Sequence, residues 1–310
     1  MVSKRRVLAA GGLALALGLS ACGGSDDAGG ADGDGPLAGE TFTVGSKAFT
    51  ESQLLGYLTV AVLEDAGAST KDEIGMSGSE VVREALESDR IDIYWDYTGT
   101  GWVNYLGNTT EDIPEDLYEA LVEADADNGI AWLPPANFEN TYRLATTQEF
   151  ADQKSLQTTS DVAEFLADNP DQGSICAASE FINRDDGLPG LEDAYDMEFT
   201  EVVELDLNLI YTQVGDSCEF GEVFSTDARI VANDLLVLED DNDFFVEYAG
   251  AVTLRQETLD DFPEIEELFA PISEALTNEV MTELNGQVDN DGIDPDKVAS
   301  EWLEDNGFIG

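Results

Sequence analysis

The sequence lacks histidine altogether, and this absence excludes several classes of functional site. Without histidine, the 310-residue chain can form neither a Ser-His-Asp nor a Cys-His catalytic arrangement. Every metal site with histidine ligands is excluded for the same reason. We predict a protein that is not an enzyme and that needs neither a metal nor a cofactor; the missing histidine agrees with this but leaves carboxylate-based catalysis open.

Positive charge is also scarce, which restricts the partners that the chain can have. Lys and Arg together number 13 against 67 Asp and Glu, a formal net charge of -54. Phosphate contacts need clustered cations, so neither nucleic acid nor an anionic lipid surface is an expected partner. A content of 43% hydrophobic and 9% aromatic residues excludes a disordered chain. The remaining interpretation is an acidic, hydrated, halophilic surface suited to high salt.

The amino terminus has the pattern of an export signal. A basic KRR triplet precedes the apolar run "VLAAGGLALALGLSA", which is too short to remain as a membrane-spanning helix. The ending "LSAC" resembles a lipobox, which predicts a signal peptide over residues 1–22 and lipid attachment at Cys22. The adjacent arginines leave twin-arginine export open. Residues 23–40 are rich in Gly and Asp and predict a flexible acidic tether.

Two cysteines remain beyond the lipobox, Cys176 and Cys218. An even pair in an exported chain predicts one disulfide bond. The alternative is two separate buried thiols.

Hydrophobic periodicity beyond residue 41 predicts an alternation of strands and helices. The strand "TFTVGS" precedes a helix opened by a capping box at Thr50 and Gln53, and a second box at Ser77 and Glu80 precedes the strand "IDIYW". A similar alternation resumes after "NTYRLATT", and the last quarter reads as consecutive helices. We therefore predict two α/β lobes with a ligand cleft between them and a helical tail that packs on an earlier sheet.

The stretch "IDIYWDYTGTG" places Tyr94, Trp95 and Tyr97 at the end of a predicted strand. Such aromatic side chains are either core or the wall of a site for a positively charged group. Strand alternation puts Trp95 and Tyr97 on one side and Tyr94 and Asp96 on the other, so at most two of these four side chains line one surface. Trp95 lies deeper in the strand than Tyr97, which favours a core position for Trp95.

Seven motifs occur in order between residues 44 and 289: "VGSKAFTE", "GSEVVREALES", "IDIYWDYTGTG", "NFENTYRLA", "SEFINRDDGLPGLEDAY", "FSTDARI" and "LNGQVD". Together they resemble the substrate-binding lipoproteins of the glycine betaine, carnitine and choline ABC transporters, of the ProX and OsmF type with an OpuAC-like domain. The resemblance implies a type II periplasmic binding protein fold. It implies a first lobe of residues 41–140 and 230–310 and a second lobe of residues 141–229.

The resemblance also implies a cage of aromatic rings around a quaternary ammonium group. A trimethylammonium has no N–H to donate, so the negative faces of Tyr and Trp rings must recognise it. Tyr97 and Tyr142 match cage positions of the family, and Tyr211 and Phe224 are further candidates from the second lobe. Phe224 stands where relatives often have Tyr.

The carboxylate end of a betaine needs different side chains. Lys47, Arg184 and the hydroxyl of Thr100 match the family's carboxylate-binding positions, and the guanidinium fork of Arg184 suits a carboxylate. Asn140 and Glu180 match positions that lie near the ligand or link the lobes. Surface salt bridges are the alternative role for Lys47 and Arg184.

The resemblance implies a monomeric carrier that is lipid-anchored to the outer face of the cell membrane. It would deliver glycine betaine, proline betaine, carnitine or choline to the permease of an ABC importer, for osmoprotection or nutrition. One alternative keeps the fold but binds an amino acid or another zwitterion. A second is a hydrolase that uses a carboxylate pair such as Asp92 and Asp96. A third is calcium binding by "DNDGIDPD", residues 289–296, which lacks the order of an EF-hand loop.

Overall fold

The computed structural model describes residues 35–110 and 113–310. The predicted signal peptide, the lipidation site Cys22 and residues 23–34 of the tether lie outside this range. Within it, no helix is both long and apolar enough to cross a membrane.

Two five-stranded mixed sheets form the framework of the described chain. The first has the strand order β2-β1-β3-β10-β4 and the second the order β7-β6-β8-β5-β9. The strands are β1 Thr41–Lys47, β2 Ser69–Met76, β3 Ile93–Tyr97, β4 Ile130–Trp132, β5 Tyr142–Thr147, β6 Ser174–Ala177, β7 Glu201–Glu204, β8 Phe220–Phe224, β9 Leu235–Val237 and β10 Gly250–Arg255.

Helices connect and cover the two sheets. In chain order they are α1 Thr50–Asp65, α2 Ser79–Glu87, α3 Thr98–Thr100, α4 Leu117–Asp125, α5 Gln148–Lys154, α6 Thr159–Asp168, α7 Ser179–Asn183, α8 Leu188–Tyr195, α9 Leu207–Gln213, α10 Arg229–Ala232, α11 Gln256–Asp261, α12 Glu264–Ala275, α13 Asn278–Asp289 and α14 Pro295–Asn306. The helices α13 and α14 pack against α1, so the helical tail returns to the first lobe.

Both sheets combine parallel strands with one antiparallel strand next to the centre. In the first sheet β1 is parallel to β2 and β3, while β10 runs antiparallel to β3 and β4. In the second sheet β6 is parallel to β7 and β8, while β5 runs antiparallel to β8 and β9. The chain passes between the sheets after β4 and again after β9, which gives two lobes joined by two segments.

The second passage lies further along the chain than the predicted return at residue 230. The strand Leu235–Val237 pairs with Ala145–Thr147 of β5, and only Gly250–Arg255 joins the first sheet. The second lobe therefore extends beyond residue 229, through β9. A three-residue edge strand gives too few alternating positions to be recognised from periodicity.

The two predicted capping boxes are wrong. The helix α1 has Phe49 at its N-cap, and neither α1 nor α2 has a side-chain cap. The Thr50 hydroxyl instead donates to Asp289 at 2.6 Å, and the Ser79 hydroxyl donates to Glu180 at 2.6 Å. For Thr50, a contact with a distant part of the chain thus replaces the predicted local hydrogen bond, whereas α2 has Gly78 rather than the predicted Ser77 at its N-cap.

A disulfide bond joins Cys176 on β6 to Cys218 just before β8, with 5.7 Å between their Cα atoms. Both sulfur atoms belong to the buried interior of the second lobe. The bond closes a sequence separation of 42 residues, so it restricts the unfolded chain considerably.

Several of the few cations lie inside the protein rather than on its surface. Arg83 is 3% exposed and donates two hydrogen bonds to the fully buried Asp125, at 2.5 and 2.7 Å. Arg229 pairs with Asp227 in the same manner. These cations neutralise buried carboxylates, so few are left to balance the acidic surface.

We expect the folded state to lose stability at low salt. The Debye length, beyond which repulsion between carboxylates is largely screened, is about 3 Å at 1 M salt and about 10 Å at 0.1 M. The carboxylates therefore repel one another more strongly at low salt. The melting temperature should fall by at least about 5 °C between 2 M and 0.1 M potassium chloride. For a chain of this size, this corresponds to a loss of about one to two kcal/mol in the free energy of unfolding. Circular dichroism at fixed pH measures this, and equal melting temperatures would contradict a salt-adapted surface.

Candidate functional site

The carboxyl ends of parallel strands from both lobes surround one cavity of about 260 Å³. The segments that follow β1, β2 and β3 supply its first side, and the segments that follow β6 and β7 supply its second, together with β8 itself. This is the position where open α/β sheets generally bind ligands. The cavity therefore lies where the alternation of strands and helices predicted a cleft.

Five aromatic side chains line this cavity. The rings of Phe49 and Phe224 are 5.3 Å apart, and Phe49 lies 6.1 Å from Tyr97. Tyr142 lies 4.8 Å from Phe224 and stands edge-to-face against Tyr248 at 5.5 Å. The predicted residues Tyr97, Tyr142 and Phe224 are thus brought together. Phe49 and Tyr248 were not predicted and complete the wall.

The predicted cage residue Tyr211 does not reach the cavity. It is fully buried on α9, and its hydroxyl oxygen accepts a hydrogen bond from the backbone N–H of Phe224 at 3.1 Å. The Arg229 guanidinium lies 4.3 Å from the centre of its ring. Tyr211 therefore supports the strand that carries Phe224 from behind, because the buried face of α9 turns it toward the core.

The aromatic residues of "IDIYWDYTGTG" divide as strand position predicted. Tyr97, at the end of β3, lines the cavity, and its hydroxyl donates to Glu51 at 2.8 Å. Trp95 is 1% exposed, packs edge-to-face on Phe269 and donates its indole N–H to Thr59 at 3.0 Å. Trp95 is therefore a core residue, whereas Tyr97 borders the cavity.

Lys47 brings a positive charge to the cavity but is already paired. Its ammonium lies 2.6 Å from Asp96, and both side chains are buried. The same ammonium is 5.2 Å from the centre of the Tyr97 ring. Asp96 also accepts hydrogen bonds from the hydroxyls of Tyr94 and Tyr105, at 2.6 and 2.7 Å. This network holds the Lys47 ammonium against the aromatic wall.

Arg184 occupies a similar position on the second lobe. Its guanidinium donates two hydrogen bonds to Asp186, at 2.5 and 2.7 Å, and a third to Glu180 at 2.8 Å. One terminal nitrogen is also 3.5 Å from the hydroxyl of Thr100, on the first lobe. The Tyr248 hydroxyl donates to Asp186 at 2.5 Å. The predicted pair of Thr100 and Arg184 therefore meets across the cavity.

Glu180 connects the lobes at the cavity edge. Its carboxylate accepts hydrogen bonds from the hydroxyl and the backbone N–H of Ser79, which belongs to the first lobe. Burial opposes ionisation of Glu180, but the charges of Lys47 and Arg184 and the bond from Ser79 outweigh it and lower its pKa. Glu180 is therefore an anion that links the two halves of the site.

Asn140 also lies at the cavity, on the first segment between the lobes. Its side-chain amide donates to Glu51 at 2.8 Å, the same carboxylate that accepts the Tyr97 hydroxyl. Glu51 is 3% exposed and also accepts hydrogen bonds from Thr226 and Asn285, at 2.6 and 3.0 Å. Burial raises the pKa of Glu51, while these four donors oppose the rise.

Sequence reasoning missed two further carboxyl groups that line the cavity, those of Asp206 and Glu222. Glu222 lies on β8, is 2% exposed and lines the cavity. Burial raises the pKa of Glu222 to about 8, and the negative charge of Glu180 adds to the rise. The hydrogen bond from the backbone N–H of Ala178 lowers the pKa but does not outweigh burial. The neighbours of Glu222 in the sequence, "FGEVFS", carry no motif that distinguishes it from the many other glutamates.

Comparisons with known proteins agree with this geometry. Residues 40–305 match the family model described as the substrate binding domain of ABC-type glycine betaine transport systems. The glycine-betaine-binding protein of Pseudomonas aeruginosa is 34% identical over 87% of this chain and 89% of its own length. The glycine betaine-binding protein YehZ of Escherichia coli is 29% identical over 86% of this chain and 90% of its own length.

A solved structure extends the agreement to the fold. The crystal structure of a glycine betaine/carnitine/choline ABC transporter protein superposes with a TM-score of 0.70 and is 25% identical, covering 87% of this chain and all of that one. The predicted type II periplasmic binding protein fold is thereby confirmed. The proteins that the chain resembles are substrate-binding proteins of transporters and not enzymes, in agreement with the prediction. The chain belongs to the family of substrate-binding domains of ABC-type glycine betaine transport systems.

Proposed function

We propose that this protein captures a quaternary ammonium solute, namely glycine betaine, proline betaine, carnitine or choline, and delivers it to its permease. The observation that carries the proposal is the wall of five aromatic rings around a cavity of about 260 Å³. Methylated nitrogen offers no hydrogen-bond donor, whereas ring faces attract it by about 0.5 to 2 kcal/mol each. Several desolvated faces together therefore approach about -8 kcal/mol, which is the binding free energy of a micromolar site.

The polar end of the cavity supplies partners for a ligand carboxylate. Lys47, Arg184 and Thr100 line it together, while Asn140 and Glu180 lie at its edge. Both cations already pair with buried carboxylates, so a ligand carboxylate would share them with those internal anions. Such sharing supports orientation of a betaine rather than a strong gain in affinity.

Two relatives support the ligand class by their names, since both are glycine betaine-binding proteins. An amino acid or other zwitterion is the alternative ligand for the same fold. A primary ammonium prefers carboxylates and hydroxyls, whereas the five rings favour a methylated one.

We also propose that the protein acts as a monomer and is held at the outer face of the cell membrane by lipid on Cys22. The lipobox-like "LSAC" supports this location, together with the membership of a family that serves ABC-type transport systems. A tether rich in Gly and Asp would let the binding domain reach the permease.

Titration calorimetry on the tagless domain in molar potassium chloride tests the ligand class. Glycine betaine, proline betaine, carnitine and choline are compared with glycine and proline, which have the same charges as the betaines but unmethylated nitrogen. We expect at least one methylated compound to bind near micromolar affinity. Binding of glycine or proline with no binding of any methylated compound would favour the amino acid alternative.

We expect Tyr97→Ala to weaken betaine binding at least about tenfold, the effect of one desolvated ring face. Tyr97→Phe and Tyr97→Trp should retain much of the affinity because both keep a ring. Trp95→Ala is the matched control: it removes a core ring, so it should lower the melting temperature while the remaining folded protein binds normally. A folded Tyr97→Ala protein with unchanged affinity for every methylated ligand would remove Tyr97 from the site.

A further inference from the structure

Glu222 is placed to face the ligand rather than the outside. Side chains alternate along β8, so Glu222 shares one face of the strand with Phe224, which belongs to the aromatic wall. It is 2% exposed, so its carboxyl group meets the cavity rather than bulk water. A carboxyl group at this position is therefore part of the surface that any bound solute contacts.

The carboxyl group of Glu222 has little support from the protein. Across residues 35–110 and 113–310, its side chain has one hydrogen bond, from the backbone N–H of Ala178 at 2.8 Å. The titratable groups that face it are Tyr142 on β5 and, from the segment that begins with α7, Glu180 and Arg184. A structural carboxylate would normally be better satisfied by donors.

The cavity already has a surplus of negative charge without Glu222. Its two cations, Lys47 and Arg184, are both engaged with buried carboxylates. An ionised Glu222 adds one more negative charge, and its pKa of about 8 allows it to gain or lose that charge near neutral pH. The carboxylates that pair with the cations are Asp96, Glu180 and Asp186.

We infer that Glu222 determines which charge class of quaternary ammonium solute the cavity prefers, an inference that rests on the proposed function. When Glu222 is ionised, the cavity favours a solute with a net positive charge and no carboxylate, such as choline. When Glu222 is protonated, the attraction for a net positive charge is absent. The carboxylate of a zwitterion such as glycine betaine is then no longer repelled by a negative charge on Glu222. The remaining wall contributes equally to both solutes because it recognises only the methylated nitrogen.

The test is calorimetric titration with choline and with glycine betaine at pH 6.5 and pH 9, in 1 M potassium chloride. The choline-to-betaine affinity ratio should rise about tenfold with pH, as expected for one added charge at short range in a buried site. The wall tyrosines do not interfere, because burial raises the pKa values of Tyr97, Tyr142 and Tyr248 well above their usual range. At pH 8, choline binding should also release a proton, detectable as a dependence of the heat on the buffer.

Glu222→Gln keeps the shape of the side chain and stays neutral at both pH values. Its choline-to-betaine affinity ratio should therefore be independent of pH, and choline binding should release no proton. The matched control is Glu201→Gln, which removes an exposed carboxylate from the same lobe and should behave as the wild type. An unchanged ratio and no proton release in the wild-type protein would overturn the inference even if both solutes bind. If neither solute binds at either pH, the proposed function itself fails.

Discussion

Tyr142→Ala should weaken binding of every quaternary ammonium solute by about a hundredfold, the largest loss among single ring deletions. Tyr142 is the centre of the aromatic wall: its ring lies 4.8 Å from Phe224, 5.2 Å from Phe181 and 5.5 Å from Tyr248. Truncation removes one ring face from the ligand and also removes the packing that holds two other wall rings. Titration calorimetry with glycine betaine and choline measures the loss.

The same substitution should cost about 3 to 5 kcal/mol of stability through the cavity it leaves, so affinity and melting must be read together. Tyr195→Ala is the matched control, because Tyr195 is a buried tyrosine of the same lobe that does not line the cavity. It should lower the melting temperature and leave the affinity unchanged. Tyr142→Phe should bind nearly as the wild type does. An affinity of Tyr142→Ala equal to that of the control would exclude a ligand contact for Tyr142.

The sequence predicted the wall best where a motif marks the end of a strand. Tyr97 ends β3 and Tyr142 begins β5, so strand position alone places both near the edge of a sheet. Tyr248 was missed because it lies between β9 and β10, in a segment without helical or strand periodicity. Tyr211 was wrongly included because an aromatic residue on a short helix gives no sign of which face is buried.

Tertiary contacts explain the other differences between prediction and structure. The first capping box failed because Thr50 donates to Asp289, which is distant in sequence, and the second failed because Gly78 rather than Ser77 is the N-cap. The lobe boundary shifted because β9 is an edge strand of three residues. The alternation of strands and helices was predictable, since it follows from local hydrophobic pattern, whereas these details depend on which segments meet.

The contacts of Glu51 give the second large expected effect, a loss of at least about 4 kcal/mol of stability in Glu51→Ala. Four buried or nearly buried donors point to this carboxylate: the hydroxyls of Tyr97 and Thr226 and the amides of Asn140 and Asn285, at 2.6 to 3.0 Å. Removing the shared acceptor leaves these donors without their partner, at about 1 to 3 kcal/mol for each one that stays unpaired. The melting temperature should fall by roughly 8 to 16 °C.

Glu51→Gln should lose less stability than Glu51→Ala, because one carbonyl oxygen remains to accept hydrogen bonds. Some stability should still be lost, because the new amide group faces donors and cannot accept from them. Glu64→Ala is the matched control on the same helix, because Glu64 is exposed and its loss should change stability by less than about 0.5 kcal/mol. Thermal melts in molar salt give the stability, and titration with glycine betaine adds a second measurement. Because the Tyr97 hydroxyl is held by Glu51, Glu51→Ala should also weaken binding in the protein that remains folded. A melting temperature within 2 °C or so of the Glu64→Ala control would show that the four donors find other partners and that Glu51 does not hold the lobes and the aromatic wall together.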